Sequence, residues 1–312
     1  MVNNILPNDT RLTRFLRYMK NNYQMYLLLL PGVVFIFIFC YVPMYGIQIA
    51  FRDFSFRRGI VGSKWVGIKH FARYFGSSNF WPLMRNTLGI SLYSLAAGFP
   101  VPIILAFMLN ELRSQKFRRT VQMITYIPHF ISAVAICSML TLFMDRTNGV
   151  FNHILAAFGC ERVAFLAEPR YFKTIYVLSG IWQGAGWGSI IYLAALSSVD
   201  PQMIEAAIID GANRFQKIIY IDFPAILPTI ITLLILNVGS LVSVGYEKIL
   251  LLQNSLNMES SDVIGTYVYR LGIKDAQYSY TTAIGVFNSV VNVILLVICN
   301  GVARQVSETS LW

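Results

Sequence analysis

Several polar and aromatic side chains lie inside or at the ends of long apolar stretches, and their chemistry is that of binding rather than bond cleavage. Gln183 and Trp187 are one helical turn apart, and so are Asn288 and Asn292. Aromatic faces stack on CH groups while amides and hydroxyls pair with hydroxyls, so such a set suits a hydroxyl-rich solute. Polar groups inside apolar helices usually face a cavity or the interior of a bundle. The candidate residues along a solute path are Trp182, Gln183, Trp187, Asn237, Ser240, Tyr246, Asn288 and Asn292.

The same residues also have a purely structural interpretation. Asn and Ser in membrane helices often hydrogen-bond to neighbouring helices, and tryptophan often lies in an interfacial belt. Gly180, Gly184 and Gly188 recur every four residues, a pattern typical of a face on which two helices pack closely. From the residues alone both interpretations stay open.

No group of residues predicts catalysis or metal binding. His70, His129 and His153 have no carboxylate or cysteine at ligand spacing, and the four cysteines show no paired spacing. The sequence contains no Gly-x-x-x-x-Gly-Lys-[Ser/Thr], the usual loop that binds ATP phosphates. We therefore expect a non-catalytic protein with no metal and no cofactor of its own.

The composition indicates which solvent surrounds these residues. The chain has 312 residues, of which 56% are hydrophobic and 13% charged, and its mean hydropathy is +0.57. A soluble domain has about 25% charged residues, so this chain must use the lipid bilayer as solvent for much of its surface. The net charge is +10, but Lys and Arg fall in the gaps between apolar runs, where they would meet lipid headgroups. Without a basic face or a recognition motif, we expect no nucleic-acid binding.

Six segments are long and apolar enough to cross a bilayer, and strict alternation of apolar and polar residues is absent, so helices are predicted rather than a barrel. We predict an all-α integral membrane protein with six transmembrane helices. A basic segment over 1–24 would precede a single membrane domain over 25–312, whose core spans about 82–305. The first helix is expected to be retained rather than cleaved. The predicted spans are 25–51, 86–110, 121–143, 173–196, 224–246 and 282–302.

The basic residues ahead of the first span indicate its orientation. Arg11, Arg14, Arg17 and Lys20 precede that span, and such a cluster usually keeps the N-terminus in the cytoplasm. Six crossings would then place the C-terminus there too. A count over all loops opposes this mildly, because fewer than half of the 25 Lys and Arg residues would lie on the cytoplasmic side. We expect both termini to be cytoplasmic.

Residues 200–224 predict a short helix, a tight turn and a second helix between the fourth and fifth spans. Asp200 followed by Pro201 is an N-cap and first-turn pair, and Gly211 can leave a helix in the left-handed conformation. Asn213 with Gln216 three residues later is a second capping pair. Taken alone, this unit would be an ordinary amphipathic linker at the membrane surface.

The full pattern resembles the "EAA loop" of ABC-transporter permeases, which reads Glu-Ala-Ala, three residues, Gly, nine residues and then Ile-x-Leu-Pro. Here Glu205-Ala206-Ala207 precedes Gly211 at that spacing, and Ile221-Asp222-Phe223-Pro224 follows with Phe223 in place of Leu. The stretches 86–87, 99–103, 109–112, 127–132 and 186–196 resemble the branch of this family that imports sugars.

The resemblance implies a permease subunit of an ATP-driven importer for a carbohydrate, more specifically an oligosaccharide, in the cytoplasmic membrane. The helix 201–210 would dock in a cleft of a separate ATPase, with Glu205 as the acidic contact and Phe215 as an apolar anchor. Ala206 and Ala207 would allow close approach, and Gly211 would provide the turn. The implied ATPase-coupling residues are Glu205, Ala206, Ala207, Asp210, Gly211, Phe215, Ile221 and Pro224.

The resemblance also implies an assembly. Its further members would be a second permease subunit in a heterodimer, two ATPase subunits that bind ATP and Mg, and an extracellular or periplasmic solute-binding protein. Loops 52–85 and 247–281 would face the binding protein, and the second loop contains four tyrosines that could equally be interfacial anchors: Tyr267, Tyr269, Tyr278 and Tyr280.

Two other classes are the alternatives. One is a self-contained secondary carrier or channel for a small polar solute, which carboxylates inside spans or inverted repeats would favour. No acid lies well inside a predicted span, and the two halves of the chain do not match. The other is a non-transporting membrane scaffold, which only the loop argues against.

Overall fold

The computed structural model describes residues 18–306 and residue 311, and these are mostly helical. The predicted basic cluster at Arg11, Arg14 and Arg17 lies outside the described residues, so the predicted division at residue 24 stays a prediction. Two compact units meet in sequence between Lys69 and His70. Each is described by itself below.

The first unit contains one long helical stretch and a small hairpin. The stretch Tyr23–Phe51 confirms the first predicted span. Strands β1 and β2 pair antiparallel, with Arg52 opposite Trp65, and the Arg52 guanidinium lies 5.4 Å from the centroid of the Trp65 ring. The elements are Tyr23–Ile36 (α1), a π-helical turn Phe37–Tyr41, a helical turn Val42–Met44, a 3-10 helix Tyr45–Phe51, Arg52–Ser55 (β1), Gly59–Gly62 (α2) and Ser63–Trp65 (β2).

The second unit is a helical bundle with short connecting helices. In chain order the α-helices are Lys69–Phe75 (α3), Phe80–Tyr93 (α4), Pro100–Asn110 (α5), Gln115–Tyr126 (α6), Ala133–Phe143 (α7), Val150–Ala157 (α8), Pro169–Leu196 (α9), Pro201–Ile209 (α10), Arg214–Lys217 (α11), Phe223–Val238 (α12), Tyr246–Leu252 (α13), Met258–Ser261 (α14), Ile264–Tyr269 (α15) and Tyr278–Val306 (α16). A 3-10 helix covers Ile127–Phe130, and π-helical turns cover Ser94–Gly98, Ile218–Asp222 and Arg270–Lys274.

Four helical stretches among the described residues are long and apolar enough to span a membrane, or five if one bent pair counts as a single span. The helical membrane fold is therefore confirmed, but the predicted count of six spans is not. The remaining predicted span corresponds to α9, which at 28 residues is about 42 Å long and so has the length to cross a bilayer. Its glycines, serines and tryptophans and Gln183 lower its hydropathy below that of the other four.

The third predicted span, 121–143, is not one continuous helix. Gln115–Phe130 and Ala133–Phe143 meet at an angle of 98°. Pro128 lacks a backbone donor, and Ser132 starts a new helix because its Oγ accepts a hydrogen bond from the Ala135 N–H at 3.3 Å. The sequence predicted a single span over 121–143, whereas the structure breaks it near Pro128.

The fifth predicted span, 224–246, is shifted towards the N-terminus. The helical stretch runs over Arg214–Val238 and includes the second helix of the loop. Beyond Val238 the chain contains Gly239, Ser240, Ser243 and Gly245, which are poor helix formers, so the helix ends before Tyr246.

Helix α9 lies at the centre of the second unit and packs against α5, α6 and α12. One core cluster joins α5, α9 and α12 through side chains such as Leu109, Leu196 and Ile226. A second cluster is aromatic and places Tyr267 and Tyr280 in the interior, with their hydroxyl oxygens 3.5 Å apart. These two tyrosines are therefore core residues rather than contacts for an external partner or interfacial anchors.

Gly186 marks a close approach between α9 and α6. A Cβ atom at this position would overlap the backbone carbonyl of Thr125. The predicted packing face at Gly180, Gly184 and Gly188 differs from this. A Cβ at Gly184 would meet no atom within 4 Å, and of the three glycines only Gly188 packs closely, on Pro102 at 3.2 Å. The four-residue spacing therefore did not identify the glycine at which α9 approaches another helix most closely.

We expect Gly186→Ala to destabilise the protein, because a backbone carbonyl cannot rotate away from the added methyl group. Overpacking of this kind costs about 1–3 kcal/mol, so the melting temperature of the purified protein in detergent should fall measurably. Gly184→Ala, on the same helix, is the matched control and should leave the melting temperature unchanged or raise it slightly. Equal melting temperatures for the two variants would contradict the role of Gly186.

Candidate functional site

The loop between α9 and α12 has the predicted helix–turn–helix structure. Helix α10 begins at Asp200, whose Oδ1 accepts a hydrogen bond from the Gln202 N–H at 2.9 Å. Gly211 then turns the chain with φ of +79°, a conformation that glycine adopts without strain. The next helix starts with a capping box, in which Asn213 and Gln216 each accept a hydrogen bond from the other's backbone N–H, at 2.9 and 2.8 Å. Local capping chemistry thus fixes the shape of the loop.

Large apolar side chains point outward from this loop. Ile209 is 85% exposed and Phe215 is 73% exposed. Exposed apolar patches on a folded protein mark surfaces that contact another protein or the membrane. The large apolar side chains of the loop that are more than half exposed, named the apolar ridge below, are Met203, Ile208, Ile209, Phe215 and Tyr220.

The predicted coupling residues divide by exposure. Those exposed in the structure are Glu205, Ala206, Asp210, Gly211, Phe215 and Pro224. Ala207 and Ile221 are half-buried, so they contribute to packing within the chain as well. Their contact with an ATPase stays a prediction.

A buried cluster of charged groups, which the sequence analysis missed, fixes the loop to the bundle. The Lys217 ammonium contacts the Glu111 carboxylate and lies 3.4 Å from Asp222 Oδ2. The side chains of Lys217, Glu111 and Asp222 are 15%, 17% and 1% exposed. Glu111 follows α5 and Asp222 precedes α12, so Lys217 ties the second loop helix to two long helices. No local pattern could have indicated that Glu111 and Lys217 meet.

Two adjoining cavities of about 450 and 430 Å³ lie along α9. Both are lined by Ser94 and Gly98 of the π-helical turn, by Pro102 of α5 and by Tyr176 of α9. Turns of this type occur frequently at functional sites. The cavities therefore lie where three of the long helical stretches meet: α4 with α5, α9 and, in the larger cavity, α12.

The structure brings three of the predicted solute-path residues to these cavities. Asn237 and Ser240 line the larger cavity, and Gln183 lines the smaller one. The Gln183 amide also donates a hydrogen bond at 3.1 Å to the carbonyl of Ile131, where the third predicted span is broken. Gln183 therefore has the structural role and also lines a cavity.

The other predicted residues lie elsewhere. Trp182 lines a separate, apolar cavity of about 510 Å³. Trp187 stacks on His129, with ring centroids 4.6 Å apart, and Tyr246 stacks on Tyr269 at 5.6 Å.

The two asparagines of α16 also differ. The Asn292 side chain bonds the Ser243 hydroxyl at 2.7 Å and the Val242 N–H at 3.1 Å, which is the structural interpretation. Asn288 Oδ1 is buried and accepts no hydrogen bond within the described part of the chain. For all of the predicted solute-path residues, those at the cavities included, a contact with solute stays a prediction.

Lys248 in α13 is a cation at the smaller cavity that the sequence analysis did not single out. Its Nζ atom is buried and makes no hydrogen bond to any described residue. The ammonium lies 5.4 Å from the centroid of the Tyr176 ring, a cation–π contact, and would be 3.9 Å from a Cβ atom at Gly180. Burial lowers the pKa of Lys248 below its ordinary value. The sequence shows Lys248 only as a single lysine before a short apolar run, so no motif marks it.

A cavity between long membrane-capable helices and a separate capped loop with an exposed apolar ridge are features expected of a membrane transport subunit. Residues 98–308 match the model of the family described as "Binding-protein-dependent transport system inner membrane component", and the chain belongs to this family.

Relatives and solved structures agree with this assignment. The polygalacturonan/rhamnogalacturonan transport system permease protein YteP of Bacillus subtilis (strain 168) is 42% identical over 99% of this chain and 96% of its own length. The arabinooligosaccharides transport system permease protein AraP of the same organism is 26% identical, over 88% of this chain and 85% of its own. A chain from the crystal structure of a bacterial alginate ABC transporter, in complex with an alginate pentasaccharide-bound periplasmic protein, has a TM-score of 0.87 at 41% identity. This similarity covers 96% of the present chain and 100% of that one.

These findings confirm the predicted class. The chain is a multi-pass membrane permease subunit of an ABC importer, a family of non-catalytic membrane components, and not a self-contained secondary carrier.

Proposed function

We propose that this chain forms one half of the translocation pathway of an ATP-driven oligosaccharide importer, and that its loop over 200–224 couples the pathway to a separate ATPase. The loop and both termini lie in the cytoplasm. The chain works with a second permease subunit, two ATPase subunits that bind ATP and Mg, and a solute-binding protein outside the membrane. The observation that supports coupling most directly is the apolar ridge on a loop whose two helices are both capped.

The connections of the loop explain how docking could move the pathway. The second loop helix and α12 form one helical stretch, Arg214–Val238, joined by the π-helical turn Ile218–Asp222, so a displacement of the loop is passed along α12. The contact between Lys217 and Glu111 passes the same displacement to α5. Since α5 and α12 both line the larger cavity, movement of the loop would shift two of its walls as rigid bodies.

The lining of the cavities supports a carbohydrate as the solute. Hydroxyl groups, an amide and three aromatic rings line the larger cavity, and these are the groups that hold sugars. Three similar proteins, YteP, AraP and the alginate transporter, have names that state the carbohydrate that their systems transport. The polar and aromatic lining residues are Ser91, Ser94, Phe99, Tyr176, Tyr192, Asn237, Ser240 and Ser243.

Cysteine crosslinking tests the coupling role. Glu205→Cys is introduced into a chain without its four native cysteines, and the ATPase carries single cysteines in the cleft that faces the permease. We expect a specific crosslink whose yield changes when ATP is added. Glu161→Cys, also exposed but in the segment after α8, is the matched control and should give no crosslink.

The same variant also tests the orientation. A membrane-impermeant thiol reagent added to intact cells should leave Glu205→Cys unlabelled. Labelling from outside together with no crosslink would overturn both the coupling role and the cytoplasmic placement of the loop.

A further inference from the structure

We infer that the apolar cavity between α7 and α9 is a lipid site, which holds one acyl chain of an outer-leaflet phospholipid with its phosphate at the arginines beside one end of the cavity. Such a site is separate from the solute path and from coupling to the ATPase. Only the choice of leaflet rests on the proposed orientation of the chain.

The wall of this cavity suits an apolar ligand and not water. Its volume is about 510 Å³, and its lining by α7, α8 and α9 is almost wholly apolar. The Ser179 hydroxyl, one of the few polar groups in the wall, already donates to the carbonyls of Ile175 at 2.6 Å and Tyr176 at 3.1 Å. An apolar cavity without polar partners stays dry or takes an apolar ligand, and an empty one forgoes dispersion contacts along its walls.

The length and width of the cavity fit an extended acyl chain. Its wall along α9 runs from Tyr171 to Trp182, which is about 16 Å at the helical rise of about 1.5 Å per residue. This is about half of the roughly 30 Å of bilayer hydrocarbon, the share of one leaflet. Spread over that length, the volume of about 510 Å³ corresponds to a channel roughly 6 Å across, about half the diameter of a helix with its side chains. A single alkyl chain therefore fits, whereas a transmembrane helix does not.

The cavity opens sideways from the bundle. Met139 and Phe143 of α7 and Leu178 and Trp182 of α9 line it, yet each of these side chains is more than a third exposed. Lining residues that are also exposed mark an opening, and all four are apolar, as expected where the surrounding medium is hydrocarbon. An acyl chain enters by this route without crossing a polar surface. In this arrangement Trp182 contacts lipid instead of solute.

Basic side chains lie beside the end of the cavity at Tyr171. The Arg170 guanidinium is 4.6 Å from the centroid of the Tyr171 ring and pairs with Glu168 at 2.7 Å. Arg146 follows the lining residue Met144 by two positions, and its exposed guanidinium makes no ion pair or hydrogen bond within the described part of the chain. A guanidinium donates charge-assisted hydrogen bonds to phosphate. A phosphate at this end leaves the chain directed towards Trp182, and this end of α9 is opposite to the cytoplasmic loop.

Photocrosslinking of the complete importer in nanodiscs tests the site. The probe is a phosphatidylglycerol with a diazirine in the middle of one acyl chain, and labelled residues are mapped by mass spectrometry. We expect label on the lining residues Ile136 and Ile175, which are only 1% and 7% exposed and so are out of reach of lipid at the outer surface. Met139→Trp places an indole in the cavity and should lower this label about tenfold, which corresponds to about 1.4 kcal/mol. Leu142→Trp, at an exposed position of the same helix outside the cavity, is the matched control and should leave it unchanged.

A second blocking variant makes the test independent of how one variant folds. Leu178→Trp fills the cavity from α9 and should give the same loss of label as Met139→Trp. No label on Ile136 and Ile175 in the wild type, or label that neither tryptophan lowers, would overturn the lipid site. A disulfide between Met139→Cys and another subunit would also overturn it, since protein would then fill the cavity.

The phosphate contact is tested with a diacylglycerol that carries the same diazirine chain. Without a phosphate it should label Ile136 and Ile175 less than phosphatidylglycerol does, and Arg146→Gln should reduce the difference between the two probes. Equal labelling by both probes in the wild type would exclude the contact with phosphate. Because solute uptake is not measured, failure of the lipid site leaves the proposed function standing.

Discussion

Lys217→Met is expected to cause the largest loss of stability among the substitutions considered. It would leave the Glu111 and Asp222 carboxylates buried beside each other without a cation. Removing one partner of a buried ion pair costs about 3–5 kcal/mol, so the variant should show a much lower melting temperature in detergent and less protein in the membrane. Transport should fall with the amount of folded protein.

A compensated variant distinguishes loss of charge balance from loss of packing. The triple change Glu111→Gln, Lys217→Met and Asp222→Asn removes the three charges together and should recover much of the lost stability. Lys116→Met, at an exposed lysine in α6, should have little effect on the melting temperature. If Lys217→Met were as stable as Lys116→Met, the charged cluster would not hold the loop in place.

Glu substitutions in the apolar ridge are expected to uncouple the permease from its ATPase without unfolding it. Ile209 and Phe215 are so exposed that their replacement removes little packing within the chain. If they are anchors in an interface, each is worth at least about 2 kcal/mol, which is roughly a thirtyfold loss in affinity for the ATPase. ATP-driven uptake by Ile209→Glu and Phe215→Glu proteoliposomes should fall to near background.

The readouts for this prediction are affinity and folding, measured separately. Binding of the purified ATPase to the permease in nanodiscs should weaken, whereas the melting temperature of the permease should stay that of the wild type. Phe158→Glu changes an aromatic side chain of similar exposure, 81%, in a different loop and should leave ATPase binding intact. Wild-type affinity in the Phe215→Glu variant would exclude this residue from the contact.

The parts of the site that could be predicted are those set by neighbours in sequence. The caps at Asp200 and Asn213 and the left-handed turn at Gly211 follow from side chains that bond backbone groups two or three residues away. Such bonds need no knowledge of the rest of the fold, and the structure confirms all three. Most membrane-spanning helices could also be predicted, because the length and hydropathy of a continuous segment identify them.

The parts that could not be predicted depend on residues far apart in sequence. In the sequence Lys217 is an ordinary lysine of the loop, and only the fold places Glu111 of the α5 end against it. In the sequence Lys248 is an ordinary loop residue, and only the packing of α13 on α9 places its ammonium over the Tyr176 ring. The break after Pro128 was missed for a related reason: a proline can kink or end a helix, and the outcome depends on whether the rest of the protein can accommodate a break.

That break has a consequence for how the membrane-embedded part of the chain is solvated. Neither piece of the broken span is long enough to cross the roughly 30 Å of hydrocarbon by itself, and the backbone carbonyl of Ile131 lies at the break between them. The Gln183 amide takes the place that water would have in a soluble protein. The same amide that lines a cavity thus also satisfies the backbone at the point where the broken span changes direction.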